Sequence, residues 1–157
     1  MSSQLDAMAR RVIDANSYMT LGTTDDDRRP RLSPVYYHCA AYRRFYWVSS
    51  PRARHSLHIE ARPDVAGVIF DSTAEVGRGE AVFFAADARA VAGEDLDRSL
   101  DEAFGPTEAV SFTATELHEL GLSLYVAELR TCEVHVPGRH PTFGRGLDSR
   151  QPATPHA

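Results

Sequence analysis

The sequence predicts a mainly β domain, an antiparallel barrel of six strands with a few flanking helices. Three observations carry this reading. Short stretches with period-two or mostly apolar patterning recur along the chain, and tight polar turns join the early ones into a meander. No glycine pair continues into the G-x-G-x-x-G of a doubly wound sheet, since Gly77-Arg-Gly79 and Gly144-Arg-Gly146 both stop short. At 157 residues, with 43% apolar and 25% charged side chains, the chain is one ordinary globular domain. A domain of this size buries enough surface to need neither disulfide nor metal.

The elements follow in order. Leu5, Met8, Ala9, Val12 and Ile13 form one stripe of an amphipathic helix. Tyr18 to Thr24 reads as a strand ended by the Asp25–Pro30 turn cluster. Leu32 to Cys39 is a second strand, and Pro34 within it marks an edge, a bulge or a backbone that faces a ligand. Phe45 to Ser49 is a third, rich in aromatics. Ser50-Pro51 pairs an N-cap residue with a proline at the first helical position, and the helix runs to Arg62-Pro63. Val65–Phe70 and Glu80–Ala92 are strands four and five. Leu96, Leu100, Ala103 and Phe104 mark a helix closed by Gly105-Pro106. Thr113-Ala-Thr-Glu116 is a capping box opening a short helix that stops at Gly121. Leu122 to Val136 is the sixth strand. Residues 1–136 thus form the barrel, and 137–157, poor in apolar residues, reads as a C-terminal tail.

Charge narrows the function. Seventeen basic against twenty-two acidic side chains give a net charge of −5, which argues against a nucleic-acid binder. Every basic residue is arginine, so a lysine Schiff base is excluded and an anion must be held by guanidinium, imidazole or backbone amide. Cys39 and Cys132 lie far apart and read as small buried hydrophobes, and the scattered histidines make no metal set. The N-terminal residues carry charge within a short apolar pattern, unlike a signal peptide, and no apolar run reaches a membrane span; a cytoplasmic location is expected.

The candidate site is the strand–turn–helix Ser49-Ser50-Pro51-Arg52-Ala53-Arg54-His55-Ser56. A helix start presents unpaired N–H groups, Ser49 and Ser50 add hydroxyls, and Arg54 can chelate a phosphate, with His55 assisting if protonated. The competing reading leaves Ser50 as a simple helix cap and the arginines in solvent. Serine-hydrolase and metalloprotease motifs are missing. Tyr46 and Trp47 alternate across a strand, so at least one of them is packing.

Assembled, these residues resemble the pyridoxamine 5′-phosphate oxidase-like proteins, the flavin-binding split β-barrel family. The resemblance rests on Met19–Thr24, Arg29–Tyr36, Phe45–Pro51, Arg54–Ser56, Val65–Phe70 and Glu80–Phe84, spread over residues 5–136. It implies an FMN-binding split barrel acting as a homodimer, with FMN at the subunit interface. Ser33, Pro34, Val35 and Tyr36 would run along the isoalloxazine. Val48, Ser49, Ser50, Arg54 and His55 would form the phosphate junction. Arg78 and Glu80 would approach from the partner subunit. Departures matter too. His55 stands where many relatives have lysine, and Glu80 replaces a frequent glutamine. The basic C-terminal segment of true pyridoxamine 5′-phosphate oxidases is missing. The resemblance therefore implies a flavin-dependent oxidoreductase acting on a small organic substrate other than vitamin B6. A deazaflavin (F420) reductase on the same barrel and a non-catalytic flavin-binding or sensing protein are the alternatives. Tyr36, Tyr37 and His38 are candidates for chemistry by position alone.

Overall fold

The structure is a computed structural model that describes residues 4–106 and 108–156. Helix α1 (Gln4–Ala15) precedes β1 (Tyr18–Thr24), β2 (Pro30–Tyr36), β3 (His38–Ala40) and β4 (Arg44–Ser49). Helix α2 (Arg54–Ala61) leads to β5 (Asp64–Phe70) and β6 (Ala81–Val91), then α3 (Asp95–Ala103), α4 (Ala114–Leu120), β7 (Ser123–Val136) and β8 (Ser149–Pro152).

The strands form one antiparallel sheet in the order β2-β1-β5-β6-β7-β4-β3, with β8 on the far half of β7. The two end strands of that path, β2 and β3, are separated in sequence by Tyr37 alone. A sheet whose ends are consecutive in the chain must curl until those ends meet, and this makes it a barrel. Tyr37 is the clasp. Its N–H donates to the Ser17 carbonyl at 3.0 Å, and its buried hydroxyl donates to the Ile13 carbonyl at 2.5 Å. Pro34 sits on β2, an edge strand, where its missing N–H costs no ladder bond.

Inside the barrel, Met19, Leu21, Phe45, Trp47, Ile69, Val82, Phe84 and Val134 pack with Met8, Val12 and Ile13 of α1. Trp47 stacks on Tyr125 across the β4–β7 register, with centroids 5.7 Å apart. A second core lies outside the sheet, where α3 and α4 cover Tyr46, Val91, Leu124 and Val126. Tyr46 and Trp47 thus face opposite sides, and both are buried. The α4 capping box forms as the sequence predicts, and Gly121 closes that helix in the left-handed conformation at φ 66°.

Three expectations change. The second strand is broken at Tyr37 into β2 and β3. Helix α2 starts at Arg54 with Ala53 as N-cap, and Ala53 offers no side-chain bond. Ser50 instead tightens the preceding turn, its Oγ accepting from Arg52 N at 3.2 Å and its carbonyl from Ala53 N at 3.0 Å. The third change is at the C-terminus. Residues 149–152, expected in a tail, add β8 to the sheet, and Ala153 and Pro155 are buried beyond it. The segment is stapled to α1, with Thr154 N donating to Asp6 Oδ1 at 2.6 Å and Arg10 to the Pro155 carbonyl at 2.5 Å.

Candidate functional site

Helix α2 packs near the ends of β1 and β4, and its two histidines are each tied to a strand-end hydroxyl. His55 Nε2 lies 2.9 Å from Ser49 Oγ, and His58 Nδ1 lies 2.9 Å from Thr23 Oγ1. One helical turn separates the two rings, so the pairs fix both ends of that turn. Burial, and then His58, lower the pKa of His55 from its ordinary value. This burial opposes the protonation that the sequence reading asks of His55 beside a phosphate.

Arg54, the first residue of α2, is exposed and has no hydrogen-bond or ion-pair partner among the described residues. Arg54 lines a small cavity of about 230 Å³ with Asp25, Asp26, Arg31, Leu57 and His58. Both carboxylates there are engaged. Asp25 accepts from Arg31 Nε and from the Arg29 backbone, each at 2.8 Å, and Asp26 accepts from Arg62 at 3.1 Å. Arg54 thus keeps its donors. Ser49 and His55 form a contact of their own beside it, and Ser50 serves the turn. Val48, half-buried, packs against the second core.

The β2 residues alternate across the sheet. Val35 faces Met19 in the barrel and is buried, and Ser33 shares that side opposite Leu21. Pro34 and Tyr36 point outward with Leu32. Their side chains therefore cannot all line one ligand; a ring lying outside the barrel would meet Pro34 and Tyr36. On this outer side Tyr18 is 62% exposed and Leu32 73%, and Tyr36 meets Tyr18 edge-on at 5.5 Å. A depression of about 420 Å³ continues from Leu32 across Thr20, Val68 and Phe83, with Arg150 over the Phe83 ring at 3.6 Å.

Arg78 and Glu80 lie in the connection between β5 and β6. Arg78 is largely exposed and pairs with Glu75 at 3.4 Å, while Glu80 pairs with Arg11 of α1 at 2.5 Å. Among the position-based candidates, Tyr37 is committed to the Ile13 carbonyl and its pKa is raised, chiefly by burial. His38 is buried against the rings of Tyr36 and Phe104, with Nδ1 3.2 Å from Glu108 Oε2. Burial lowers its pKa and outweighs the opposing pull of Glu108. The sequence reading missed Thr23, His58 and Glu108. Each meets its partner across many residues, so no local spacing carried the signal.

No family model and no curated protein sequence matches the chain. Solved structures do match. The heme binding protein of Mycobacterium smegmatis superposes with a TM-score of 0.69 at 17% identity, over 97% of this chain and 59% of that one. A protein related to general stress protein 26, of the pyridoxinephosphate oxidase family, from Clostridium acetobutylicum gives 0.60 at 6% identity, over 94% and 93%. A FAD-binding protein from Mesorhizobium loti gives 0.60 at 16%, over 82% and 90%. The fold is therefore the split β-barrel of the pyridoxamine 5′-phosphate oxidase-like proteins. No helix among the described residues is long and apolar enough to cross a membrane.

Proposed function

We propose that this split barrel binds FMN as a homodimer and serves as an oxidoreductase for a small organic substrate other than vitamin B6. The observation that carries the reading is the junction between β4 and α2. There an unpaired Arg54 stands at the first turn of a helix beside the Ser49–His55 pair. Helix N-termini and guanidinium groups are the two standard means of holding a phosphate, and this chain places both at one turn. The residues present fit the phosphate: Arg54 supplies a fixed charge, and the Ser49–His55 pair supplies the donor left over from its mutual hydrogen bond. The fit differs from that of a lysine-bearing relative, because the charge of His55 depends on pH and its burial opposes protonation.

Pro34 and Tyr36, on the outer side of β2, would meet the ring, with Ser33 and Val35 holding the strand to the core. FMN, when bound, supplies the hydride chemistry, and the polypeptide supplies position and electrostatics. The exposed apolar outer side around Tyr18, Leu32 and Phe70 is the surface a second copy would cover. Arg78 and Glu80 would reach the ring from that copy.

The test is the absorption and mass spectrum of the ligand released from purified protein. FMN supports the reading. A deazaflavin would keep the site and change the cofactor, and a heme would overturn the flavin assignment. Reduction of the bound flavin by NAD(P)H would support an oxidoreductase, whereas a tightly held, unreactive flavin would make the protein a binder or sensor.

A further inference from the structure

A second cavity, of about 430 Å³, lies between α2 and the β6–β7 pair. None of the residues assigned above to the flavin lines it. Ile59, Ala88, Ala90 and the Tyr125 ring give it apolar walls. Ser56 supplies its buried polar atom: the residue is 2% exposed, and Oγ has no hydrogen-bond partner among the described residues. A buried helical serine ordinarily bonds back to the carbonyl four residues earlier, or the position is taken by alanine, the better helix former. Here the hydroxyl is kept, buried and unpaired, at the edge of a cavity. One charge completes the lining: Glu60, one helical turn on from Ser56, is exposed and offers acceptors. Arg89 borders the cavity from β6, but its guanidinium lies on the outer face of the sheet, paired with Glu128 at 3.7 Å.

We propose that this cavity binds a small planar nitrogen heterocycle whose edge carries both a donor and an acceptor. The ring would lie against Tyr125 and Ile59, and the C=O and N–H of a lactam-like edge would meet the Ser56 hydroxyl and the Glu60 carboxylate. The volume falls in the range of small-ligand sites, and apolar walls with a few convergent polar groups are their usual lining. A fatty acid matches the walls but not the polar groups, since it would set its carboxylate against Glu60 or leave Ser56 unpaired.

The test is titration of the full chain with quinazolin-4-one, a bicyclic lactam without phosphate, followed through backbone amide shifts. Saturable shifts confined to residues 56, 60, 88–90 and 123–125 are expected, unchanged by added FMN. Ser56→Ala weakens binding about tenfold, the effect of losing one buried hydrogen bond. The same variant raises Tm without the probe, because it removes a hydroxyl that the free protein leaves unsatisfied. Ala90→Phe, at the exposed rim, abolishes the shifts while amides elsewhere stay in place. The proposal is overturned if the wild type shows no saturation, if the shifts spread over other surfaces, if FMN competes, or if Ser56→Ala binds the probe equally well. A fall in Tm on Ser56→Ala would also overturn it, by showing the hydroxyl already partnered.

Discussion

The outer side of the sheet has two halves with different fates. Over β4, β7 and the end of β6, helices α3 and α4 cover it, and Tyr46, Leu124 and Val126 are nearly inaccessible. Over β2, β1 and β5 no described helix covers it, yet Tyr18, Leu32, Pro34, Tyr36 and Phe70 line it. An antiparallel sheet with one wet face ordinarily alternates apolar inside with polar outside. Both halves break that rule. In the first, the chain's own helices supply the cover; in the second, no described helix does. The uncovered half is also the side on which Pro34 and Tyr36 stand, so partner and cofactor are assigned to one surface.

Leucine truncations on adjacent strands sharpen this contrast most. Leu21 of β1 is fully buried inside the barrel, and Leu32 of β2 is 73% exposed outside it. Leu21→Ala should lower unfolding stability by about 2–5 kcal/mol, the range for a buried leucine. Leu32→Ala should change it by less than ~0.5 kcal/mol when measured on the monomer. Urea midpoints of the two variants decide this, and equal losses would put Leu32 inside the fold.

Dimerisation separates the halves next. Leu32→Asp should weaken self-association by roughly 2 kcal/mol, about thirtyfold in Kd, if Leu32 is a central contact. Light scattering over a dilution series measures it. A charge placed on the covered half at the exposed Leu120 should leave the dimer intact. Loss of the dimer in the Leu120 variant alone would reverse the assignment of the two surfaces.

A smaller effect should appear with pH. Burial lowers the pKa of both His38 and His55 below the unfolded value. The folded state then binds fewer protons than the unfolded chain as pH falls through ~6.5. The stability from keeping these rings neutral is present above that pH and is lost as pH drops toward the folded values. His55→Gln retains a partner for Ser49 and cannot titrate, so its stability should fall less between pH 7.5 and 5. Parallel curves for variant and wild type would mean that His55 stays exposed to water.

The covered half was legible in the sequence because its signals are local. Thr113 and Glu116 are three residues apart, Gly121 follows at the helix end, and Leu96, Leu100, Ala103 and Phe104 share one face. The strand–turn–helix junction was half legible. Ser50-Pro51 gave its place but suggested the wrong cap, because the same residue types that start a helix also make the turn before one. The β8 segment was not legible at all. It is held by ladder bonds to β7 and by Thr154 and Pro155 against α1, and backbone pairing leaves no apolar pattern in a stretch such as Ser149-Arg-Gln-Pro152. Ser49 and His55 stood close enough in sequence to be suspected. Thr23 with His58 and His38 with Glu108 became neighbours only through the curl of the sheet.

Arg54 offers the most direct test of the account, because its guanidinium stands unpaired at the helix start and is assigned to the cofactor phosphate. Calorimetric titration of wild type and Arg54→Ala with FMN and with riboflavin separates phosphate from ring. FMN should lose about 1.5–3 kcal/mol in the variant, the range for a charge-assisted hydrogen-bonding group. Riboflavin should bind both proteins alike. An equal loss for the two ligands would place Arg54 at the ring or in the fold, and no loss for either would contradict the phosphate site.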